Sequence, residues 1–173
     1  MIEDVLDFTR ARLGSGIGVR IQTIENLDEG LDAVVKELQD ARPERSIVSQ
    51  INVKRSVRCD LGRVQQLASN LLSNALMHGA PTSTVTFDAF VSDDQLIIKV
   101  WNEGEPIPPE SIDKIFAPFW RCTTSTNRDG LGLGLHICSQ IVSAHGGHLS
   151  VSSSAEMGTQ FVVNLPCIDK TVL

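Results

Sequence analysis

The chain has 173 residues, of which 42% are hydrophobic and 21% charged, and its formal net charge at pH 7 is -6. This length fits one domain with a sizeable core, and the negative charge argues against a nucleic acid as the main partner. No apolar run reaches the roughly 18 residues of a membrane span, and the four cysteines show no CxxC spacing, so we expect a cytoplasmic, reduced protein.

The N-terminal end predicts the last turns of a helix. Residues 2–13 carry apolar side chains at helical spacing, and glycines at positions 14, 16 and 18 mark a boundary after them. A helix at Leu27–Ala41 is expected next, ended by Pro43. Three strands are predicted around it, at residues 19–25, 47–51 and 53–59, with a tight connection at Asn52 between the last two.

From residue 60 onward the pattern predicts alternating helices and strands. Asp60 is placed to cap a helix at residues 61–78, which Gly79 and Pro81 end. The later elements are a hairpin at 84–91 and 95–101, a helical turn at 112–116, a helix at 132–145, and strands at 148–153 and 159–165. This order predicts an α+β fold, a two-layer sandwich with helices on one face of a mixed, mostly antiparallel sheet.

The helix at residues 61–78 places three polar side chains along the margin of its apolar stripe. Asn70, Asn74 and His78 have i, i+4, i+8 spacing and therefore stack on one edge. Asparagine is unfavourable inside a helix, and its carboxamide oxygen is a good ligand for Mg²⁺. Two interpretations stay open at this point: a Mg²⁺ site, or amides that bind local backbone.

Two glycine-containing segments add to this pattern. Gly130, Gly132 and Gly134 alternate with leucines and lead from a polar segment at 121–130, expected to be a mobile loop, into a helix. Such a loop can close its N–H groups on an anion, or it can be only a hinge. The segment 100–108 offers an amide at Asn102 and an apolar wall at Ile107, which suit a purine; the alternative is a simple turn.

Five motifs follow one another in the sequence: NLLSNALMHG, NEGEPIP, IFAPFWR, GLGLGL and GTQF. In this order they resemble the N, G1, F, G2 and terminal Gly-Thr boxes of the GHKL superfamily, which includes histidine kinases, gyrase-type ATPases and Hsp90-type chaperones. The resemblance covers about residues 19–166 and is closest to sensor histidine kinases similar to bacteriophytochromes. It implies the Bergerat fold, ATP and Mg²⁺ as ligands, and transfer of the γ-phosphoryl group to a histidine on a separate dimerisation domain.

The resemblance also implies roles for individual residues. Asn74 corresponds to the Mg²⁺ ligand, and Asn70 supports the triphosphate site. Asn102 stands where an aspartate accepts from the adenine amino group, with Thr159 assisting through water. The other residues implied to contact ATP are His78, Gly104, Ile107, Phe116, Arg121, Arg128, Gly130, Gly132, Gly134 and Leu135.

The resemblance further implies a lid over the nucleotide. Phe116 and Phe119 would anchor the lid, residues 121–130 would form it, and Arg121 and Arg128 would contact phosphates. The glycines at 130, 132 and 134 would cradle the phosphates.

The residue at position 70, Asn70 in this chain, helps to distinguish subfamilies of the GHKL superfamily. Relatives that hydrolyse ATP, and serine kinases of the anti-sigma-factor type, usually carry glutamate here as a general base, whereas an amide cannot accept a proton. A neutral imidazole is already nucleophilic and does not need that base. Histidine phosphorylation is therefore favoured over the first alternative, a stand-alone GHKL serine kinase or ATPase of the anti-sigma type.

Three positions depart from the commonest family pattern: Met77 replaces a lysine, Asn102 an aspartate and Pro106 a glycine. The amide at 102 exchanges a charge-assisted hydrogen bond for a neutral one. These departures motivate the second alternative, a degenerate nucleotide-binding domain that regulates a partner.

None of the four histidines lies in the H-E/D-x-R/K-x-P context of a phosphoacceptor. We therefore expect residues 1–15 to be the end of the dimerisation and phosphoacceptor helix with its linker, and residues 16–173 to be the catalytic domain. The expected partners are the upstream dimerisation domain and a downstream response regulator. The isolated chain is expected to be a monomer without a membrane segment.

Overall fold

A computed structural model describes Thr9 and residues 16–121 and 131–167. Its helices are α1 (Leu27–Ala41), α2 (Leu61–His78) and α3 (Gly134–Ala144), and one short 3₁₀ turn covers Pro109–Ser111. Its strands are β1 (Gln22–Ile24), β2 (Ser46–Asn52), β3 (Val57–Cys59), β4 (Thr84–Ser92), β5 (Gln95–Asn102), β6 (His148–Ser154) and β7 (Gly158–Pro166).

Five of the strands form one sheet in the order β2-β4-β5-β7-β6. Strand β2 runs parallel to β4, and every other neighbouring pair is antiparallel. Strands β1 and β3 form a separate antiparallel pair. The predicted α+β sandwich with a mixed, mostly antiparallel sheet is therefore confirmed, and the small second sheet is an addition to it.

The core lies between the sheet and the helices. Alternate residues of β4 and β5 are fully buried, as expected for strands with one covered face; they are Val85, Phe87, Ala89, Leu96, Ile98 and Val100. Helix α2 packs on these central strands and contacts both α1 and α3. The central position of α2 brings its margin close to the ends of β5 and α3, where the candidate site lies.

Asp60 caps the start of helix α2, as predicted. Asp60 Oδ1 accepts from the backbone N–H of Arg63 at 3.1 Å, and Oδ2 accepts from the N–H of Arg20 at 2.8 Å. The N–H of Asp60 donates to Nε2 of buried His145 at 3.1 Å. Because Nε2 is an acceptor, Nδ1 of His145 is the atom that donates to Ile141 O at 2.8 Å. His145 is thus a packing and capping residue.

Replacing Asp60 with alanine is expected to lower the free energy of unfolding by about 1–2 kcal/mol. The change removes the cap of α2 and the acceptor that holds the N–H of Arg20. Urea denaturation measures the effect, and Asp60→Asn, which keeps one acceptor and is an equally good cap, is the control. Equal denaturation midpoints for Asp60→Ala and the unchanged protein would contradict the assignment.

Several predicted boundaries need correction. The tight connection predicted at Asn52 is wrong, because Asn52 lies within β2, and β2 pairs with β4 whereas β3 pairs with β1. Residues 53–56 connect the two sheets. The strand predicted at 19–25 shortens to β1, and the helical turn predicted at 112–116 begins earlier, as the 3₁₀ turn at Pro109–Ser111.

The predicted helix at 2–13 and the polar loop at 121–130 fall almost entirely outside the described residues. Thr9 is helical and Arg121 is exposed. No helix in the described ranges has the length and apolar character needed to cross a bilayer.

Candidate functional site

The polar margin of α2 forms one side of the candidate site. Its core-facing stripe is buried at Val64, Leu67, Ala68, Leu71, Leu72, Ala75 and Leu76, whereas Asn70 and Asn74 are half-buried at the edge. Asn70 Nδ2 donates to Gly134 O at 3.4 Å, which links α2 to the first residue of α3. His78 ends the row at the exposed surface, and desolvation by its surroundings lowers the pKa of its imidazole.

A pair of buried polar side chains forms the other end of the site. Asn102 is 4% exposed and Thr159 is 6% exposed, and they lie opposite each other in the β5–β7 register. Asn102 Nδ2 donates to Glu103 O at 3.1 Å, so the amide presents Oδ1 as an acceptor. Oδ1 accepts no hydrogen bond from the described residues, and it suits a ligand that brings an amino group.

Thr159 belongs to a short hydroxyl relay that sequence inspection missed. Its Oγ1 lies 2.6 Å from Ser153 Oγ, in a hydrogen bond for which either hydroxyl can be the donor. Ser153 Oγ also accepts from the backbone N–H of Ile107 at 2.9 Å. This relay ties the loop after β5 to the β6–β7 hairpin, and it fixes Ile107 beside the buried pair.

The end of α2 meets the end of β5 through two glycines. Gly79 and Gly104 form an antiparallel bridge, and Ala80 N donates to Glu103 O at 2.7 Å. A Cβ added to Gly104 would lie 2.7 Å from His78 O, and one added to Gly79 would lie 2.5 Å from Ala75 O and 3.3 Å from Asn102 Cβ. Both positions need glycine because a side chain would collide with the backbone at the end of α2.

The aromatic segment after the 3₁₀ turn is tied to α3. The Phe116 ring packs edge-on against Phe161, with centroids 6.4 Å apart, and Phe116 O lies 3.0 Å from His136 Nδ1. Phe119 N donates to Gly132 O at 3.0 Å, while the Phe119 side chain is 55% exposed. These contacts hold the start of α3 at a fixed distance from the segment predicted to anchor a lid.

The predicted glycine loop is described only in part. Gly132 has φ of 68°, and a Cβ on it would lie 2.7 Å from Trp120 O, so this position requires glycine. Arg121 is adjacent, with its Cγ 3.2 Å from that added Cβ. Leu135 packs against the core. Arg128 and Gly130 lie outside the described residues.

Residues 59–168 match the family described as histidine kinase-, DNA gyrase B-, and HSP90-like ATPase. The chain belongs to this family. It is 32% identical over 171 residues to a bacteriophytochrome of Pseudomonas aeruginosa, and 30% identical over 171 residues to the circadian input-output histidine kinase CikA of Synechococcus elongatus. Each alignment covers 96% of this chain and 23% of the relative, so the chain spans about a quarter of the relatives' length.

Solved structures give the same result for the fold. The catalytic domain of the histidine kinase ThkA, in a nucleotide-free form, superposes with a TM-score of 0.73 at 27% identity, over 86% of this chain and 96% of that one. Full-length ShkA, solved in complex with AMPPNP, superposes with a TM-score of 0.77 at 25% identity, over 96% of this chain and 35% of that one. The family and fold predicted from the five motifs are confirmed: the chain has the fold of histidine kinase catalytic domains.

The structure joins Asn70 to Gly134 at one end of the candidate site and pairs Asn102 with Thr159 at the other. The residues that prediction missed are those that connect them: Ser153, and the Ala80 and Glu103 peptide groups. The hairpin pattern could have identified Ser153, because it faces Thr159 in the β6–β7 register. The backbone contact between Ala80 and Glu103 could not be predicted from the sequence, because peptide groups of any residue type can form it.

Proposed function

We propose that this chain is the ATP-binding catalytic domain of a sensor histidine kinase, which transfers the γ-phosphoryl group of ATP to a histidine on a separate dimerisation domain. The observation that carries the proposal is the buried Asn102–Thr159 pair at one end of a row of polar residues on α2, with the start of α3 beside Asn70. A purine would bind beside the Asn102–Thr159 pair, and phosphates would bind beside Asn70 and the start of α3.

The purine end would recognise adenine through one hydrogen bond. Oδ1 of Asn102 is available because Nδ2 is held by Glu103 O, and the adenine amino group is a donor. Thr159 assists, through water, and Ile107 supplies an apolar wall. His78 at the end of α2 completes the proposed pocket.

The phosphate end fits a Mg²⁺–triphosphate group. Asn74 offers a carboxamide oxygen to Mg²⁺, which prefers hard oxygen ligands and keeps phosphates and waters in its shell. Gly132 and the N-terminus of α3 at Gly134 offer backbone N–H groups and a favourable helix dipole to phosphate oxygens. Bound Mg²⁺ would neutralise charge on the phosphates. Arg121, Arg128 and Gly130 are proposed further phosphate contacts, and Phe116 and Leu135 are proposed neighbours of the nucleotide.

Asn70 explains why the acceptor would be histidine. Its Nδ2 is directed at Gly134 O, and an amide cannot take a proton from water. The chain would therefore position ATP without activating water for hydrolysis. Phosphoryl transfer would depend on alignment of the γ-phosphoryl group with an imidazole that is already nucleophilic.

The context of the domain is part of the proposal. Residues 1–15 would be the end of the dimerisation and phosphoacceptor helix, residues 16–173 the catalytic domain, and the whole protein would work in the cytoplasm with a response regulator. The relatives CikA and RcsC are named histidine kinases, and ThkA has been solved in complex with the response regulator TrrA.

Calorimetry with a non-hydrolysable ATP analogue tests the proposal. We expect binding that is at least about tenfold tighter with Mg²⁺ than with EDTA, because Asn74 contributes only through the metal. A GTP analogue is the control for recognition of the purine base. Absence of nucleotide heat with and without Mg²⁺ would overturn the proposal.

Activity assays separate the two alternatives. Phosphohistidine formed on a cognate dimerisation domain supplied in trans would support the kinase, and intact binding without transfer would favour a regulatory nucleotide-binding domain. Appreciable release of inorganic phosphate by the isolated chain would instead favour an anti-sigma-type ATPase or serine kinase.

A further inference from the structure

A half-buried cation, Arg45, lies beside the purine end and has no role in the proposed function. Arg45 lies just before β2, and its Nε and Nη2 are buried and have no hydrogen-bond partner among the described residues. No carboxylate of the described part of the chain forms an ion pair with it. Buried polar groups are nearly always paired, so an unpaired guanidinium edge requires an explanation.

The position of Arg45 is fixed by its backbone. Gln39 Nε2 donates to Arg45 O, and Gln39 Oε1 accepts from Ile47 N at 2.9 Å. The guanidinium consequently reaches the C-terminal end of α2, where Nη1 donates to Gly79 O at 3.4 Å. A Cβ placed on Gly79 would lie 3.1 Å from Arg45 Nη2 and 3.3 Å from Asn102 Cβ, so the cation and the amide border the same glycine.

A continuous chain of hydrogen bonds connects the two residues. Arg45 donates to the carbonyl of the Gly79–Ala80 peptide, and the N–H of the same peptide donates to Glu103 O at 2.7 Å. Glu103 O also accepts from Asn102 Nδ2 at 3.1 Å. A cation at the carbonyl end of a peptide strengthens the donor at its other end, because hydrogen bonds in series polarise one another.

We propose that Arg45 is a positioning residue that fixes the orientation of the Asn102 amide and thereby sets the preference for adenine over 6-oxopurines; this rests on the proposed function. With Nδ2 held at Glu103 O, Oδ1 faces the base and accepts from an amino group. A rotated amide would instead donate to the oxo group of hypoxanthine or guanine. Arg45 acts against that rotation through the Gly79–Ala80 peptide.

The preference is measured with ADP and IDP, which differ at the 6-position of the base. In the unchanged chain, with Mg²⁺, we expect ADP to bind about tenfold more tightly than IDP, the ratio that one well-placed hydrogen bond gives. In Arg45→Met the ratio is expected to fall toward equality. Arg42→Met, which removes the same charge from the same loop, is the matched control and should keep the ratio.

A purely structural role for Arg45 predicts a different result. A residue that only supported the end of α2 would lower the denaturation midpoint when replaced and would weaken ADP and IDP equally. If Arg45 only orients the Asn102 amide, we expect a denaturation midpoint that is unchanged or higher, because Arg45→Met removes two buried donors that lack partners. Failure of Arg45→Met to fold, or an ADP/IDP ratio equal to that of the unchanged chain, would overturn the inference.

A double-mutant cycle tests whether Arg45 acts through Asn102. The ratio in Asn102→Ala should equal the ratio in the double variant Arg45→Met/Asn102→Ala, because the amide that Arg45 orients is absent from both. A further change in the double variant would contradict the pathway. If the unchanged chain binds neither nucleotide, the proposed function fails; if it binds both equally, only this inference fails.

Discussion

Replacing Asn74 with alanine is expected to lower the rate of phosphoryl transfer to a cognate dimerisation domain about a hundredfold. The variant loses the carboxamide oxygen proposed to bind Mg²⁺, so the γ-phosphoryl group loses both its alignment and its charge neutralisation. The measurement is the rate of phosphohistidine formation in trans, together with the affinity for an ATP analogue at several Mg²⁺ concentrations. The Mg²⁺ dependence of binding should be lost along with the rate.

Two variants of the same helix separate this effect from damage to α2. Ser73→Ala removes a neighbouring half-buried polar side chain and should leave the rate within about twofold of the unchanged chain, as for most neutral surface changes. Asn74→Asp keeps an oxygen ligand and should retain Mg²⁺-dependent binding. If Asn74→Ala retained full transfer, or if Ser73→Ala lost as much, Asn74 would not be the metal ligand.

The elements that the sequence predicted best are those with local signals at both ends. Helix α1 has the predicted bounds, and α2 lies between the predicted cap, Asp60, and the predicted breaker, Gly79. A capping carboxylate and a terminal glycine act within one turn of the helix, so the chain itself carries the information. The β4–β5 hairpin was equally clear, because its turn at Asp93 and Asp94 adopts the positive φ that a tight connection needs.

The tight connection between β2 and β3 was predicted wrongly because the neighbours of a strand are not a local property. Both segments have the alternation of a strand, and their closeness in sequence favoured a short turn at Asn52. Strand β2 pairs with β4, beyond the whole of α2, and β3 pairs with β1, before α1. Alternation shows which face of a strand is buried and does not identify its neighbour.

In the candidate site, too, local residue types were predictable from the sequence and long-range contacts were not. The motifs supplied Asn70, Asn74 and Asn102, whose residue types are unusual where they stand. The contacts among them join distant parts of the chain: Ser153 reaches Ile107 across 46 positions, and Arg45 reaches Gly79 across 34. A serine and an arginine are ordinary in a strand or a loop, so their involvement becomes visible only when the fold brings them to the purine end.

Replacing Gly158 with alanine is expected to lower the free energy of unfolding by about 3 kcal/mol and to weaken nucleotide binding. Gly158 has φ of 71°, and an added Cβ would lie 2.5 Å from Asn102 O and 3.0 Å from Trp101 Nε1. The Trp101 side chain cannot easily move, because Nε1 donates to Met157 O at 2.7 Å. The strain would therefore displace the end of β5, which carries Asn102. Urea denaturation and calorimetry with ADP measure the two effects.

Gly146 provides a matched control, because its φ of 69° is nearly the same and the nearest atom to an added Cβ is Pro166 Cγ at 3.9 Å. Gly146→Ala therefore has the cost of a left-handed backbone alone, about 1 kcal/mol, and should leave the affinity for ADP unchanged. The difference between the two variants isolates the crowding against Asn102. Equal losses of stability, or unchanged ADP affinity in Gly158→Ala, would show that the end of β5 does not form the wall of the purine pocket.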